Sequence, residues 1–571
     1  MLKIKNFKMK SYVLLLLLIF IFFSQTVSFS ASFNSSSPVL TVQYKSLNAN
    51  NINSFVYNTG VFNQDFRTGN SPGFEWPKGS NKFAIFTSGI SIAAYVRGSD
   101  GVLRLGESMA SYIGEWSPGY ILNGTPTTPT YFHIFSVKAG DNASSNPDYA
   151  NWGQMVPFGA PYKDVNNNGV FDNGVDIPGM PNSAQTIFQV LTDGFSSSHN
   201  IYEGFGGGIT NPLLKAELHM TAWCYGTSGY EDAQFLKFEI INKNDSAWRK
   251  VYFGIVNDPD LGDPNDDYIG CDTARKLGFC YNGRATDAVY GTNPPAVGMV
   301  FLKGAINRSV TPNVDLGMTS FTFFTNTNSG GPVCERDPNP DTLGAYNMLK
   351  GFKKDGSPFM NPKVTPYAQT KFCYNGDPAT NTGWNEAQGC IQNCGGTTGN
   401  LITTNPYGDR RFIIASGADN LTVKPNEKQT ILISQMITGG TSSIDGVSSN
   451  LTAVSALKTL CDNVKNFYLA NFPIEVKNIS SVIPDKFYLY QNYPNPFNPA
   501  TSIRYQIPNN SFVTLKIYDM RGKEIAVLVN EYTKAGVYEA SYNAVNLASG
   551  VYYYKLTAGD FSEVKKMVLV K

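Results

Sequence analysis

Histidine is scarce in this chain. His133, His199 and His219 are the only three in 571 residues. His-Glu-x-x-His does not occur, so zinc-peptidase chemistry has no sequence support. Charge is also sparse, at 16% of residues, and balanced, with 45 basic and 44 acidic side chains giving a formal net charge of +1. Such balance gives no electrostatic reason to expect nucleic acid as a partner. Long apolar runs are missing except for Tyr12 to Phe23. That run is about a dozen residues, short of the roughly 20 that span a bilayer. There is no internal repeat and no Cys-x-x-Cys, and the eight cysteines are irregularly spaced, which disfavours structural zinc.

Aromatic residues are abundant, with 32 Tyr and 37 Phe, beside 53 Gly and 32 Pro. This composition favours a mainly β, loop-rich extracellular protein, and the length requires more than one core. Apolar segments at Lys82 to Tyr95, Tyr131 to Val137, Thr186 to Leu191 and Leu214 to Trp223 read as strands bounded by Gly, Pro and Asn. Phe235, Lys237 and Glu239 alternate with Leu236, Phe238 and Ile240. The pattern predicts a hairpin of Ala233 to Asn242 with Trp248 to Val256, turned at Asn242 to Ser246. Phe412 to Ser416 and Gln429 to Met436 are further strands. Val454, Leu457, Cys461, Val464 and Tyr468 recur at helical spacing and predict one amphipathic helix near 449–472, ended by Pro473. The fold expected is a β-sandwich body of one or two sub-domains over 31–472, with a mobile Ser/Asn-rich start at 31–52. A linker at 473–486 and a second, C-terminal sandwich at 487–571 follow.

Lys3, Lys5, Lys8 and Lys10 precede the apolar run, and small residues up to Ser30 follow it. This layout predicts a secretory signal peptide over 1–30. In an oxidising compartment the even cysteine count permits disulfides. The sequence does not fix their pairing. Cys271/Cys280 and Cys390/Cys394 are the nearest neighbours along the chain.

The C-terminal segment opens with Tyr493-Pro494-Asn495-Pro496 and continues through six strands of period-2 patterning. These are Ser502 to Ile507, Val513 to Tyr518, Glu524 to Val529, Val537 to Tyr542, Gly550 to Leu556 and Ser562 to Val570. Their spacing suggests an immunoglobulin-like sandwich. Pro494, Pro496 and Pro499 cannot donate ladder hydrogen bonds and should form an extended leader outside the sheet. The opening motif, Gly536 and Tyr538, Gly550 and Tyr552, and the Lys-rich final strand ending at Lys571 resemble, in order, the type A sorting domain of the type IX (Por) secretion system of Bacteroidota. The resemblance covers about a seventh of the chain. It implies recognition by the type IX translocon, cleavage by a sortase-type peptidase and transfer to a lipopolysaccharide anchor. The protein would then be extracellular or held at the outer-membrane surface after Sec-dependent export through the periplasm.

Two acidic stretches are candidate calcium sites. Asp164, Asn166, Asn168 and Asp172 take positions 1, 3, 5 and 9 of an EF-hand-type loop. Gly169 sits at the turn, and the Val170 carbonyl is at position 7. Val175 occupies position 12, where a Glu is usual, and Asp176 follows it. Asp258, Asp260, Asp263, Asp266 and Asp267 form the second cluster, with solvation and a catalytic carboxylate as rival readings. Hard oxygen ligands select calcium over zinc, and nothing suggests an organic cofactor. Glu217 and His219 share a strand face, more in keeping with a structural pair than a catalytic one. Gly204 to Gly208 lacks the Gly-Lys-Ser/Thr ending of a phosphate loop. Asp245-Ser246-Ala247, Asp272-Thr273-Ala274 and Asp341-Thr342-Leu343 weakly resemble a bacterial O-glycosylation tripeptide. The expected function is a secreted, calcium-stabilised structural or binding protein, adhesin-like or glycan-binding. An extracellular hydrolase of glycans or proteins is the alternative.

Overall fold

A computed structural model describes residues 41–571 except 68, 167, 311–312, 472–476, 481–482, 534 and 545–546. The predicted signal peptide and Pro473 lie outside the described residues. The chain is mainly β, as the composition requires.

Two nine-stranded sheets build the body, and every pairing within them is antiparallel. The first runs Tyr44–Leu47, Ser54–Tyr57, Val61–Phe62, Thr87–Arg97, Trp248–Asp258, Arg411–Gly417, Ser320–Phe324, with two short strands appended. The second runs Ser117–Pro118, Gln185–Thr192, Ala216–Cys224, Ala233–Asn242, Lys428–Thr438, Ala296–Lys303, Leu277–Asn282, Asp267–Asp272, with Phe135–Lys138 beside Gln185–Thr192. Inward residues of both sheets share one core. Ile90, Ile92, Phe253, Ile255 and Ile414 meet Leu218, Met220, Leu236, Phe238, Ile431 and Ile433. Alternation along each strand supplies these residues and sends Phe235 to the opposite face. Polar side chains cross the same interior as a satisfied chain: Gln435 joins Asn63 at 2.9 Å and Gln234 at 2.8 Å, and Ser54 also donates to Gln234.

The outer faces are covered too. The helix Ser449–Asn471 lays Val454, Leu457, Cys461 and Val464 on Phe235, Phe279, Val300 and Met436, the stripe its spacing predicts. A second helix, Thr342–Leu349, capped by Asp341 at Gly344 N, packs Ala345, Tyr346 and Met348 on Tyr252 and Ile413 of the first sheet. Among the described residues no helix is long and apolar enough to cross a membrane.

Two expectations are corrected. Ala233–Asn242 and Trp248–Asp258 are both strands, but they do not pair as a hairpin. The former lies between Ala216–Cys224 and Lys428–Thr438, the latter between Thr87–Arg97 and Arg411–Gly417. Both are buried over most of their length, so each needs a neighbour on either side. Their connection is a tight Asx-rich crossing between sheets: Asn244 N donates to Asn242 Oδ1 and Ser246 N to Asn244 Oδ1. The start of the body is also ordered into the fold. Tyr44–Leu47 pairs with Ser54–Tyr57, Leu47 and Ile52 are buried, and Asn50 Nδ2 donates to Ala233 O.

The C-terminal region has its own core of Ile503, Tyr505, Leu515, Ile517, Ala540, Tyr554, Leu556 and Leu569. Two four-stranded sheets enclose it: Lys477–Ser480, Gly536–Asn543, Ala500–Ile507, Tyr488–Leu489, and Glu524–Thr533, Ser511–Tyr518, Gly550–Ala558, Phe561–Leu569. Lys477–Ser480 therefore adds an edge strand from what the sequence suggests is linker.

Of the eight cysteines, Cys334 and Cys394 form a disulfide across 60 residues, and neither sequence-adjacent pair is bonded. Separation along the chain is a poor guide, because Cys271 and Cys280 lie on paired strands opposite Gly278 and Ile269, not opposite each other.

Candidate functional site

The proline leader of the C-terminal region does not stay outside the sheet, as expected, but is bridged onto it at Ser502 and Leu569, because the non-proline residues Tyr493 and Phe497 supply the N–H groups. Phe497 is buried, its N–H donates to Val568 O, and Val570 N returns to Phe497 O. Asn495 Oδ1 accepts from Val568 N at 2.9 Å. Asn492 Nδ2 donates to Pro494 O and Thr501 Oγ1, while Asn492 N donates to the Tyr554 hydroxyl. The beginning and end of the module thus close on each other. Tyr493 has backbone bonds to Ser502 but projects its ring into solvent, 81% exposed. Tyr538 stacks on Tyr505, and Gly536 pairs with Ile507. Tyr552 donates to Ala548 O, and Lys571 N to Ser549 Oγ. The leader is thus an internal clasp from which the Tyr493 ring projects.

The loop 164–176 is held by its own Asx hydrogen bonds. Asp164 Oδ2 accepts from Gly169 N at 2.8 Å, with Gly169 at φ 79°, and Val170 N donates to Asn168 Oδ1. Asp172 Oδ2 accepts from Asn166 Nδ2 and Asn168 Nδ2. Asp176 is buried and bridges Val165 N and Asp172 N, both at 2.8 Å. Val175, at position 12, is exposed, and the neighbouring Asp176 is the buried residue. The nearby phenol of Tyr162 is held above its ordinary pKa by burial, with Asp164, Asp176 and Asp172 adding to it.

The second acidic stretch does not act as one cluster. Asp263 N donates to Asp287 Oδ2, Asp266 Oδ1 accepts from Asn282, and Asp267 is wholly buried with one oxygen on Leu261 N. Burial pushes Asp267 well above the usual carboxylate range. Asp258 and Asp260 turn the other way. One carboxylate oxygen from each lies within 4.8 Å of one from Asp409, about 150 residues later. Tyr112 donates its hydroxyl proton to Asp258 Oδ2, and Arg411 pairs with Asp409 Oδ1. Asp258 and Asp260 are both raised, first by burial and then by neighbouring carboxylates, with Arg411 opposing. Asp409 and Arg411 give no local signal in the sequence. They arrive only because Arg411–Gly417 pairs with Trp248–Asp258.

A further buried acidic group is likewise unsignalled. Glu107, Glu115, Glu203 and Asp193 are all fully buried around His199. His199 Nδ1 lies 3.3 Å from Glu115, and Nε2 is 2.9 Å from Asp193 O. Burial alone would lower the imidazole; Glu115 overrides it and holds His199 at about 9. Burial raises Glu107 to about 8 and Asp193 to about 7. The Gly204 to Gly208 run walls this group in: Gly208 N donates to Glu115 Oε1, and a Cβ on Gly206 would stand 3.1 Å from Glu107 Oε2. It cradles carboxylates, not a phosphate. His219 pairs with Glu217 at 2.8 Å beside Lys243, a strand-face ion pair.

An open cleft of about 420 Å³ is lined by Val42, Gln43, Tyr44, Lys45, His133 and Ile134. His133 stacks on Phe135 and bonds Asp148, which also holds Lys45.

Residues 491–571 match the family model described as secretion system C-terminal sorting domain. No curated protein matches the chain. The closed C-terminal sandwich is therefore a type IX secretion sorting domain, and the protein that carries it is exported to the extracellular space or the cell surface.

Proposed function

We propose that the exported body is a calcium-stabilised structural or binding protein, adhesin-like or glycan-binding. The observation that carries this reading is the 164–176 loop. The carboxylates of Asp164, Asp172 and Asp176 take N–H groups of the loop, the side-chain amides of Asn166 and Asn168 among them, and an ion would replace those hydrogens, with the Val170 carbonyl as a backbone ligand. An ion there would stiffen a long surface loop. The cleft beside Tyr44, which is 41% exposed, adds an aromatic face with Gln43, Lys45 and His133 at hand. Rings with polar neighbours suit a sugar face. The sorting domain implies engagement with the type IX secretion machinery. Sortase-type cleavage and transfer to lipopolysaccharide complete the proposed route.

Isothermal titration of Ca²⁺ into mature protein, beside Asp164→Ala, tests the ion. Equal heats in both would remove this site. A glycan array, with Tyr44→Ala as control, tests binding. Turnover of chromogenic glycoside or peptide substrates at ordinary enzyme rates would replace the binding reading with a hydrolase.

A further inference from the structure

We propose that Asp258, Asp260 and Asp409 hold a second divalent cation, a hard one such as calcium by their all-oxygen ligands, which fastens the end of the 325–410 excursion to the central strand Trp248–Asp258. The site shares no residue with the 164–176 loop and does not depend on it.

The geometry comes first. Calcium binds oxygen at 2.3–2.6 Å, so two oxygens on opposite sides of the ion stand roughly 4.6–5.2 Å apart. Three carboxylate oxygens mutually within 4.8 Å are therefore close enough to share one calcium ion. Each comes from a position the fold holds firmly. Asp258 ends a central strand, Asp260 follows it past Pro259, and Asp409 lies three residues before Phe412, which pairs with Asn257.

A second, independent observation points at a ligand. Asp258 is 2% exposed, and its Oδ1 receives no hydrogen bond. Arg411 Nε is 3.2 Å away, but its single hydrogen goes to the Tyr112 hydroxyl at 3.0 Å. The Asp260 side chain makes no hydrogen bond among the described residues. A buried carboxylate oxygen with no hydrogen to accept costs the desolvation of that atom unless an ion or proton meets it. The surroundings supply one guanidinium, Arg411, for three carboxylates, and Asp337 adds to the negative field. One divalent ion offsets the two charges that Arg411 leaves on the three carboxylates. Oxygen-only ligands with no sulfur or imidazole select a hard cation.

The ion would have a structural consequence. Tyr112 joins this site to the buried acidic group, since its N–H donates to Glu203 and its hydroxyl to Asp258. The loop after Leu103–Ser108, the end of Trp248–Asp258 and the start of Arg411–Gly417 would be fixed together.

The test uses the mature chain stripped with chelator, at near-neutral pH. Asp258→Asn risks the Tyr112 contact, so the variants are Asp260→Asn and Asp409→Asn, whose side chains are partly exposed. Calcium is titrated by calorimetry, and melting temperature is followed with calcium up to about 10 mM, above the affinity range of extracellular modules. The expected result is a binding event retained in Asp164→Ala and weakened at least tenfold in both Asn variants, with the calcium-dependent rise in melting temperature lost alongside it. Calcium heats unchanged in both Asn variants would overturn the proposal, even if Asp164→Ala lost its own. So would a wild type that takes up no calcium while Asp260→Asn melts higher than wild type: the three carboxylates would then be sharing protons only.

Discussion

Glu107→Gln should flatten the pH dependence of stability. Glu107 is fully buried on the strand Leu103–Ser108. Thr342 donates to its Oε1 at 2.9 Å, and Oε2 has no hydrogen-bond partner. The charged groups acting on it are Glu115 and Asp341, which raise its pKa, and His199, which lowers it; burial outweighs them all and carries the carboxyl from 4.5 to about 8. The native state therefore keeps this proton where the unfolded chain has released it. A raised carboxylate contributes stability that is fully present below the unfolded value and is lost as pH climbs through the folded one. At ~1.4 kcal/mol per pH unit, the loss between about pH 5 and about pH 8 is roughly 4 kcal/mol. Gln is an uncharged isostere of the protonated acid, so it removes that slope. His199 and Asp193 are also raised and tilt stability the same way, but they are present in both proteins, and the difference between the two curves isolates Glu107. Urea unfolding followed by tryptophan fluorescence across this range measures it. The variant should lie within about 1 kcal/mol of wild type at the acid end and exceed it by several kcal/mol at the alkaline end. Parallel curves, or a variant that loses stability faster as pH rises, would refute a protonated Glu107.

Cys334→Ser with Cys394→Ser opens a loop of 60 residues and should cost on the order of 4 kcal/mol by chain entropy, read as a lowered urea midpoint that reductant reproduces in wild type. Glu386→Ala strands Arg410, whose Nε sits 2.7 Å from Glu386 Oε1 in a buried site, and also orphans Ile269 N. A loss of about 3–5 kcal/mol is expected, and a neutral result by thermal melting would show that water reaches Arg410. Leu457→Ala empties the contact between the helix Ser449–Asn471 and the second sheet and should lower stability by about 2–5 kcal/mol. Deleting Tyr493 to Lys571 should leave the body in the periplasm, checked by fractionation; normal export of the truncated chain would contradict the sorting role.

The sequence by itself determined the elements whose signal is local. Val454, Leu457, Cys461 and Val464 face one side of a helix because 3.6-residue periodicity places them there, whatever they pack against. The C-terminal strands are legible because one face of each is half exposed, so period-2 alternation survives. The curl of 164–176 follows from Asp, Asn and Gly within nine residues. Tertiary structure alone decided what depends on partners distant in sequence. Ala233–Asn242 and Trp248–Asp258 look like a hairpin, but strands buried on both faces carry no mark of which sheet they join. The pairing of Cys334 with Cys394, and the meeting of Asp258 and Asp260 with Asp409, follow from that topology, because strand register sets which ends come together and composition does not encode it.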